Sequence, residues 1–323
     1  MKKEYPLFTY ILAHYDQYHY IYTALDSILE QEYPLIEIIV IDDHSAVFDQ
    51  EELLKYIEKN KRENIKSFHV LANDENIGTV RSLNRAMKTV TGEFIQLFAA
   101  DDRLPDERVA MNFIDEFEKL GAEAEMICAV RMMMDEELTP PGEYTLPPDQ
   151  HERYNAMEAQ EQFETMAIKC DWAMGAICAR TELYKRMGYF SENYKYIEDW
   201  AFYLLITRSG VKVHTAGFKA LDHRGGGISQ SFAEAKTPQA FGYVQDIIEL
   251  REKEVFPYLK TFSLATQDDI IERYYREYDT YEKMGGERKK LRWYNFLKYS
   301  KRIVVRRVLR GLRRRAGRAI KRR

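Results

Sequence analysis

Carboxylates stand in adjacent pairs after two apolar runs of the sequence. One run ends at Asp42 and Asp43, and the other ends two alanines before Asp101 and Asp102. Neighbouring carboxylates repel each other and lose hydration in a closed site, so a cation or hydrogen-bond donors must offset their charge. Mg²⁺ or Mn²⁺ accepts carboxylate oxygens and keeps positions open for phosphate oxygens, so a metal-bound diphosphate would suit Asp101 and Asp102. Because turns and helix N-caps also favour aspartate, the structural interpretation of each pair stays open.

A third acidic pair, Glu198 and Asp199, precedes an apolar helical pattern. Either residue could simply cap that helix. The chemical alternative is a general base, because removing a proton from an acceptor hydroxyl requires a carboxylate that is free of the metal. Farther along, His223 and Arg224 precede three glycines. This segment offers an imidazole and a cation on a pliable backbone that could close over a diphosphate, although such glycines also occur in ordinary loops.

Several other kinds of site are not supported by the sequence. It contains no Gly-x-x-x-x-Gly-Lys-Ser/Thr loop, no Gly-x-Gly-x-x-Gly fingerprint and no serine nucleophile elbow, which disfavours ATPase, dinucleotide and serine-hydrolase functions. The remaining histidines have no spacing that specifies zinc, and we predict a structural or surface role for each: His14, His19, His69, His151 and His214.

The elements that must position these residues alternate along the first half of the chain. Short β-rich runs and longer helical patterns follow one another, which predicts an α/β sheet of parallel strands with helical crossovers. The predicted strands are Phe8–Ala13, Ile36–Ile41, Phe68–Leu71, Phe94–Phe98 and Met126–Val130. The predicted helices are Tyr20–Glu30, Glu51–Lys61, Thr79–Val90 and Arg108–Leu120. Ligands of such sheets collect beyond the carboxyl ends of the strands, where the first two acidic pairs fall.

Later segments are predicted more coarsely. The proline-rich stretch from Thr139 to Glu152 is expected to form a loop beside the site. Short helices and turns follow over residues 172–229, and a mainly helical pattern covers residues 231–300.

Length and composition limit the class of protein. With 323 residues, of which 45% are hydrophobic, the chain can bury a sizeable core, so general disorder is excluded. No apolar run approaches the about 20 residues of a membrane-spanning helix. Met1–Pro6 does not resemble a signal peptide, and three cysteines are an odd number, so we expect a cytosolic protein without disulfides.

The charge is unevenly distributed along the chain. The net charge is −4, but residues 301–323 hold 12 basic residues and no acid, which leaves −16 on residues 1–300. Apolar residues recur every three or four positions in this tail, which predicts a basic amphipathic helix. Such a helix suits an anionic membrane surface. Nucleic-acid binding, a solvated tail, and a tail folded back on the acidic body are the alternatives.

The order of motifs resembles the family 2 glycosyltransferases, inverting enzymes with the GT-A fold that use nucleotide-diphosphate sugars. The resemblance covers about Pro6 to Ser229 and is more specific than any single motif. It is carried by these segments: Tyr15-Asp16, Leu25–Gln31, Glu37–Ser45, Asn76–Gly78 with Arg81 and Asn84, Gly92–Ile95, Asp101-Asp102, Gly188–Phe190 and Glu198–Trp200.

The resemblance implies a donor site and a separate base. Asp43 would contact the nucleotide base, Asp101 would face the ribose and the metal, and Asp102 would coordinate the Mg²⁺ or Mn²⁺ that bridges the diphosphate. Asp199 would deprotonate the acceptor hydroxyl, with Glu198 as the fallback. The other implied donor-binding residues are Tyr15, Asp16, Asp42, Arg81, His223 and Arg224, the last two steadying the diphosphate or the metal.

Three positions depart from the pattern of the family. The family commonly has Asn where Asp16 stands, Gly where His44 stands, and often an acid where Ala100 stands. The extra charge of Asp16 bears on base recognition, and the alanine leaves one fewer candidate ligand for the metal.

The predicted organisation is a GT-A (Rossmann-like) domain over residues 1–230, a helical extension over 231–300 and the basic tail over 301–323. The predicted function is sugar transfer from a nucleotide-diphosphate donor to a glycan or lipid-linked acceptor, in cell-surface polysaccharide or glycolipid synthesis. The tail would place the protein peripherally at the cytoplasmic face of a membrane. The alternative is a catalytically silent module with the same fold that binds a membrane or nucleic acid.

Overall fold

The computed structural model describes residues 4–139, 142–225 and 237–286. The chain divides into two compact units, Met1–Ala235 and Lys236–Arg323. The three-part division into residues 1–230, 231–300 and 301–323 stays a prediction, and the basic tail lies outside the described residues.

An eight-stranded sheet forms the centre of the first unit, in the order β3-β2-β1-β4-β7-β5-β6, with β8 paired to β5. The strands are β1 (Phe8–His14), β2 (Ile36–Asp42), β3 (Ile65–Ala72), β4 (Phe94–Ala99), β5 (Met126–Met133), β6 (Glu143–Tyr144), β7 (Ile177–Arg180) and β8 (Val213–His223). The first four strands run parallel to one another. Strand β2 is buried along its whole length, as a nearly continuous apolar run between two helical layers requires.

Helical crossovers connect the parallel strands, as the alternating pattern predicted. The helices of this unit are α1 (Tyr18–Leu29), α2 (Gln50–Asn60), α3 (Thr79–Met87), α4 (Val109–Leu120), α5 (Pro148–Ala156), α6 (Ala159–Ile168), α7 (Thr181–Met187) and α8 (Glu198–Arg208). Buried apolar residues of β1, β2 and β4 pack with those of α1 and α4 in one continuous core. This core holds the carboxyl ends of the strands at one edge of the sheet.

Two features of the first unit differ from the sequence prediction. Strand β7 is inserted antiparallel between β4 and β5, so the sheet is mixed rather than wholly parallel. The proline-rich stretch is not a plain loop, because Glu143–Tyr144 pairs with the end of β5 and helix α5 begins at Pro148. Proline is favoured at the first turn of a helix, since it has no N–H to leave unpaired and its φ is already helical.

The described part of the second unit is helical, which agrees with its sequence pattern. It contains α9 (Pro238–Leu250), a π-helical turn (Arg251–Val255), a 3-10 helix (Phe256–Thr261) and α10 (Leu264–Lys283). Val244 and Ile248 pack against Tyr274 and Tyr278, and the guanidinium of Arg251 pairs with Glu277. Among the described residues, no helix has both the length and the apolar character needed to cross a membrane.

Candidate active site

Two acid-bearing loops are bonded to the end of the same strand, β1. The backbone N–H of Asp43 donates to the carbonyl of His14 at 3.0 Å, and that of Ala100 donates to the carbonyl of Ala13 at 2.8 Å. Since β2 and β4 flank β1 on its two sides, their ends lie about 10 Å apart at one sheet edge. The first two acidic pairs therefore approach a shared space from opposite sides.

Asp42 is buried at the end of β2 and is bonded to two partners. Its carboxylate accepts a hydrogen bond from Nδ1 of His14 at 2.7 Å and one from the backbone N–H of Ser45 at 3.0 Å. The backbone N–H of Gln17 donates to Nε2 of His14, which assigns the ring proton to Nδ1. Asp42 thus joins the end of β1 to the loop after β2.

Asp43 is also buried and accepts three hydrogen bonds. One oxygen accepts from Nδ2 of Asn73 and from the backbone N–H of Ile77, both at 2.9 Å, and the other accepts from the N–H of Gly78 at 2.8 Å. Gly78 has φ +88°, a conformation that favours glycine, and it directly precedes α3. The carboxylate of Asp43 therefore fixes the loop that enters α3.

Two site positions at which the family pattern differs adopt left-handed backbone conformations. Asp16 has φ +53° and His44 has φ +64°, in a region that glycine and asparagine tolerate best. Asp16 is held there by Ser45 Oγ, which accepts from its N–H at 2.8 Å, and by Ala46, whose N–H donates to its carboxylate. The neighbouring Tyr15 is 49% exposed and available to a ligand.

Arg81 lies in the first turn of α3 with more than half of its side chain exposed. Its Nε is 3.3 Å from the carboxylate of Glu192. Asn84, one turn later, exchanges hydrogen bonds with the backbone of Phe190. The pattern residues of α3 thus hold the segment that leads towards α8.

The second acidic pair meets the end of β8. Both carboxylate oxygens of Asp102 are 3.0 Å from Nδ1 of His223, and one of them accepts from the backbone N–H of Arg224. Burial and the adjacent charge of Asp102 raise the pKa of Asp101 to about 6. The structure therefore brings together Asp101, Asp102, His223 and Arg224, which the sequence placed far apart.

The guanidinium of Arg224 is used within the protein. Its Nε donates to the carbonyl of Asp101 at 2.8 Å, and its Nη1 donates to the carbonyl of Glu136. The cation also stacks over the ring of Tyr20, 3.9 Å from the ring centroid. Arg224 therefore holds the acidic loop in place and has few donors left for a diphosphate.

Two features of the group formed by Asp101, Asp102 and His223 bear on whether it could bind a metal ion. Nδ1 of His223 donates to Asp102, and its Nε2 is buried without a hydrogen-bond partner among the described residues. The carboxyl of Asp101 carries a raised pKa that a cation would lower. Across residues 4–139, 142–225 and 237–286, no three histidine, cysteine, aspartate or glutamate side chains are already grouped as a metal centre. The carboxylates of Asp101 and Asp102 suit Mn²⁺ or Mg²⁺ if phosphate and water oxygens supply the remaining ligands.

Asp199 lies in the first turn of α8. Its carboxylate accepts a hydrogen bond from the N–H of Trp200 at 2.6 Å. Burial raises the pKa of Asp199, while the positive charge of Arg131 partly opposes this shift. The charge of Asp199 in turn contributes to the raised pKa of the Cys170 thiol. A carboxylate of raised pKa is suited to act as a general base, and the neighbouring Glu198 is partly buried, as Asp199 is.

Sequence reasoning did not identify the contacts of two residues, His14 and Arg131. His14 was predicted to have a structural or surface role, and it has a structural one, because its Nδ1 holds Asp42 in place. The identity of this partner depends on the β1–β2 register, in which His14 lies opposite Asp42. Arg131 lies near the end of β5, and nothing in its local sequence distinguished it from a surface arginine.

Comparisons with known proteins agree with this architecture. The family model for glycosyl transferase family 2 matches residues 9–179, more than half of the chain. A relative from Bacillus subtilis, the putative teichuronic acid biosynthesis glycosyltransferase TuaG, is 27% identical over 104 residues, which are 32% of this chain and 39% of the relative. The alignment therefore spans about two fifths of the relative.

Solved structures share the fold at low sequence identity. The mannosyltransferase PcManGT from Pyrobaculum calidifontis, in complex with GDP-Man and Mn²⁺, superposes with a TM-score of 0.58 at 17% identity, covering 86% of this chain and 74% of that one. S. aureus TarS in complex with UDP-GlcNAc gives a TM-score of 0.51 at 15% identity, with coverages of 84% and 81%.

Proposed function

Because the chain belongs to glycosyl transferase family 2, we propose that it transfers a sugar from a nucleotide-diphosphate donor to an acceptor hydroxyl with inversion of the anomeric carbon. The observation that carries this proposal is the convergence of two acid-bearing loops on the end of β1. The donor site is the space between the loops of Asp42-Asp43 and Asp101-Asp102. Asp199, in the first turn of α8, is assigned to the acceptor.

In this mechanism the loop of Asp42 and Asp43 binds the nucleotide base, with Tyr15, Asp16 and Arg81 around it. Asp101 and Asp102 would hold a divalent cation, and His223 would orient the carboxylate of Asp102 through its Nδ1. The bound cation supplies charge stabilisation for the departing diphosphate. Arg224 fixes the loop through the carbonyl of Asp101.

Asp199 accepts the proton of the acceptor hydroxyl as its oxygen attacks the anomeric carbon. The carbon–oxygen bond to the diphosphate breaks, and its electron pair leaves with the nucleotide diphosphate. The raised pKa of Asp199 makes its carboxylate a stronger base than an exposed aspartate. Direct attack from the face opposite the leaving group inverts the anomeric centre.

Two measurements test this function: the binding of nucleotide-sugar donors, and the anomeric configuration of the sugar released from them. UDP- and GDP-sugars are titrated into the full chain with and without Mn²⁺ or Mg²⁺, and slow hydrolysis is followed by proton NMR. We expect metal-dependent binding of one nucleotide class, and a first-formed sugar whose anomeric configuration is opposite to that of the donor. Retention of configuration, or no binding across the panel, would contradict the proposal. Binding without any turnover would favour the silent module.

We propose that the acceptor is a glycan or lipid-linked precursor of a cell-surface polysaccharide or a glycolipid. Support comes from the TuaG relative, a putative teichuronic acid biosynthesis glycosyltransferase. The 12 basic residues within 301–323 suit the anionic cytoplasmic face of a membrane, each contributing about 1 kcal/mol at most. Co-sedimentation with anionic vesicles is expected for the full chain and not for a chain ending at residue 300. A tail that binds RNA instead of vesicles would overturn this placement.

A further inference from the structure

Arg131 carries a guanidinium that makes no hydrogen bond or close ion pair with any residue in the described part of the chain. Its Nε is enclosed by protein and lacks a hydrogen-bond partner there, while its charge interacts with Asp199. Other arginines nearby are paired: Arg103 lies 3.1 Å from Asp222, and Arg224 donates to the carbonyl of Asp101. A cation with an enclosed and unbonded donor destabilises the folded protein, so a ligand is its natural partner.

The position of Arg131 directs it towards the reacting groups. It pairs in parallel register with Leu221 of β8, and Met133, two residues later, pairs with His223. Because side chains alternate along a strand, Arg131 and His223 lie on the same face of the sheet. The strand is anchored here, since the N–H and Oγ1 of Thr145 both donate to the carbonyl of Arg131. Arg131 is therefore held in place without its guanidinium being used.

The charge of Arg131 also acts on Asp199, the residue to which the acceptor hydroxyl must come. The positive charge of Arg131 opposes the rise in the pKa of Asp199, so the two side chains are near enough to interact. The donor diphosphate already has the group formed by Asp101, Asp102 and His223 with its cation. An anion beside Asp199 is thus more naturally carried by the acceptor than by the donor.

We propose that Arg131 binds an oxyanion, a phosphate or a carboxylate, carried by the acceptor next to its reacting hydroxyl. This inference rests on the proposed glycosyl transfer. The planar guanidinium can bind either group through two parallel N–H···O bonds, which neutral sugars cannot match. The enzyme would therefore select anionic acceptors, such as polyol phosphates or glycans that contain uronic acids.

Binding of matched probes tests the proposal. Methyl β-glucuronide is compared with methyl β-glucoside, and glycerol 1-phosphate with glycerol, by titration into full-length protein saturated with the nucleotide diphosphate it prefers and Mn²⁺. The variants are Arg131→Ala, Arg131→Lys and, as a control, Arg62→Ala. The exposed Arg62 lies just before β3, at the sheet edge opposite the carboxyl ends of the strands.

We expect the wild type and the Arg62 variant to prefer an anionic probe over its neutral partner by about tenfold, or about 1.4 kcal/mol. Arg131→Ala should lose this preference, and Arg131→Lys should keep part of it because the charge remains. Affinity for the nucleotide diphosphate itself should stay unchanged. Thermal unfolding of each variant verifies that the fold is intact, and the lysine variant covers the case in which alanine unfolds the protein.

Three results would overturn the proposal. One is an equal preference of wild type and Arg131→Ala for the anionic probe over its neutral partner. Another is a loss of nucleotide-diphosphate affinity in Arg131→Ala, which would assign the arginine to the leaving group. The last is a change in Arg131→Ala that affects only the preference for UDP-glucuronate over UDP-glucose. That result would assign Arg131 to the donor sugar. If the wild type binds no nucleotide diphosphate, the proposed transfer fails first and the failure is distinguishable from these.

Discussion

The donor site and the region around Asp199 differ in how far their charges are paired inside the protein. Asp43 accepts three hydrogen bonds, and Asp42 and Asp102 are each bonded to two residues. Asp199 accepts a hydrogen bond from the N–H of its neighbour Trp200, and the Nε of Arg131 is buried without a hydrogen-bond partner among the described residues. A fully bonded loop is preorganised for one ligand, whereas unpaired charges gain their partners when a substrate arrives.

Preorganisation and reactivity therefore belong to different elements, the first to the loops after β2 and β4 and the second to the start of α8. The donor loops are fixed by the backbone and by buried side chains before any ligand binds. The groups around Asp199 make few hydrogen bonds within the described part of the protein, so they remain able to bind and react with a substrate. Substitutions on the two sides should therefore affect different measurable quantities.

Asp199→Asn should have the largest effect and should spare donor binding. An amide cannot accept the proton of the acceptor, so we expect kcat to fall by about 10³-fold, within the range of general-base catalysis. Turnover and nucleotide affinity are measured in parallel. Glu198→Gln is the matched control, and we expect its kcat to fall less than that of Asp199→Asn. A larger fall in Glu198→Gln would assign the general base to Glu198.

Asp102→Asn should weaken metal-dependent donor binding. The variant loses a candidate metal ligand and the carboxylate that orients His223, which costs about 10- to 100-fold in comparable sites. Titration of the nucleotide diphosphate with and without Mn²⁺ measures the effect. The exposed Asp106→Asn serves as the control. Equal metal dependence in both variants would remove Asp102 from this role.

Asp43→Asn should lower stability as well as base recognition. The amide keeps one acceptor oxygen and turns its NH₂ group towards N–H donors such as that of Gly78. Losing a charged, buried acceptor should lower the free energy of unfolding by about 2 kcal/mol. Denaturant unfolding measures this loss. Asp49→Asn, at the N-cap of α2, should be nearly neutral because asparagine caps helices as well as aspartate does.

The smallest effect is on the pH dependence of metal binding. A metal ligand must be deprotonated, and the pKa of Asp101 is about 6 in the protein without metal. As the pH falls through 6, protons compete with the cation, and apparent affinity should fall by up to about tenfold per pH unit. Asp101→Asn should flatten this profile. An unchanged slope in that variant would assign the titration to another group.

Much of the fold could be predicted from periodicity, because apolar runs and crossover helices depend on local patterns. The family and the GT-A fold predicted from motif order are confirmed by the family match and by the structural neighbours. Strand β7 could not be predicted, because its antiparallel insertion depends on pairing with β4 and β5, which lie far from it in the sequence. The proline-rich stretch was misjudged because Pro148 begins a helix there instead of ending one.

The candidate site was predictable where a residue's role follows from its position after a strand. Asp42, Asp43, Asp101 and Asp102 belong to this class, and their assigned roles remain predictions. The roles of His14 and Arg131 depend on neighbours across the sheet, since His14 contacts Asp42 and Arg131 shares a face with His223. Such relations require the register of the strands, which a single sequence does not supply.

The bonds from both acidic loops to consecutive carbonyls of β1 have an evolutionary consequence. They fix the separation between the Asp42-Asp43 loop and the Asp101-Asp102 loop through the main chain, whatever side chains surround them. Under the proposed function, side chains on these loops can therefore change during evolution, and nucleotide preference with them, while the loops stay in place. Reaction chemistry and donor choice are thereby free to diverge independently.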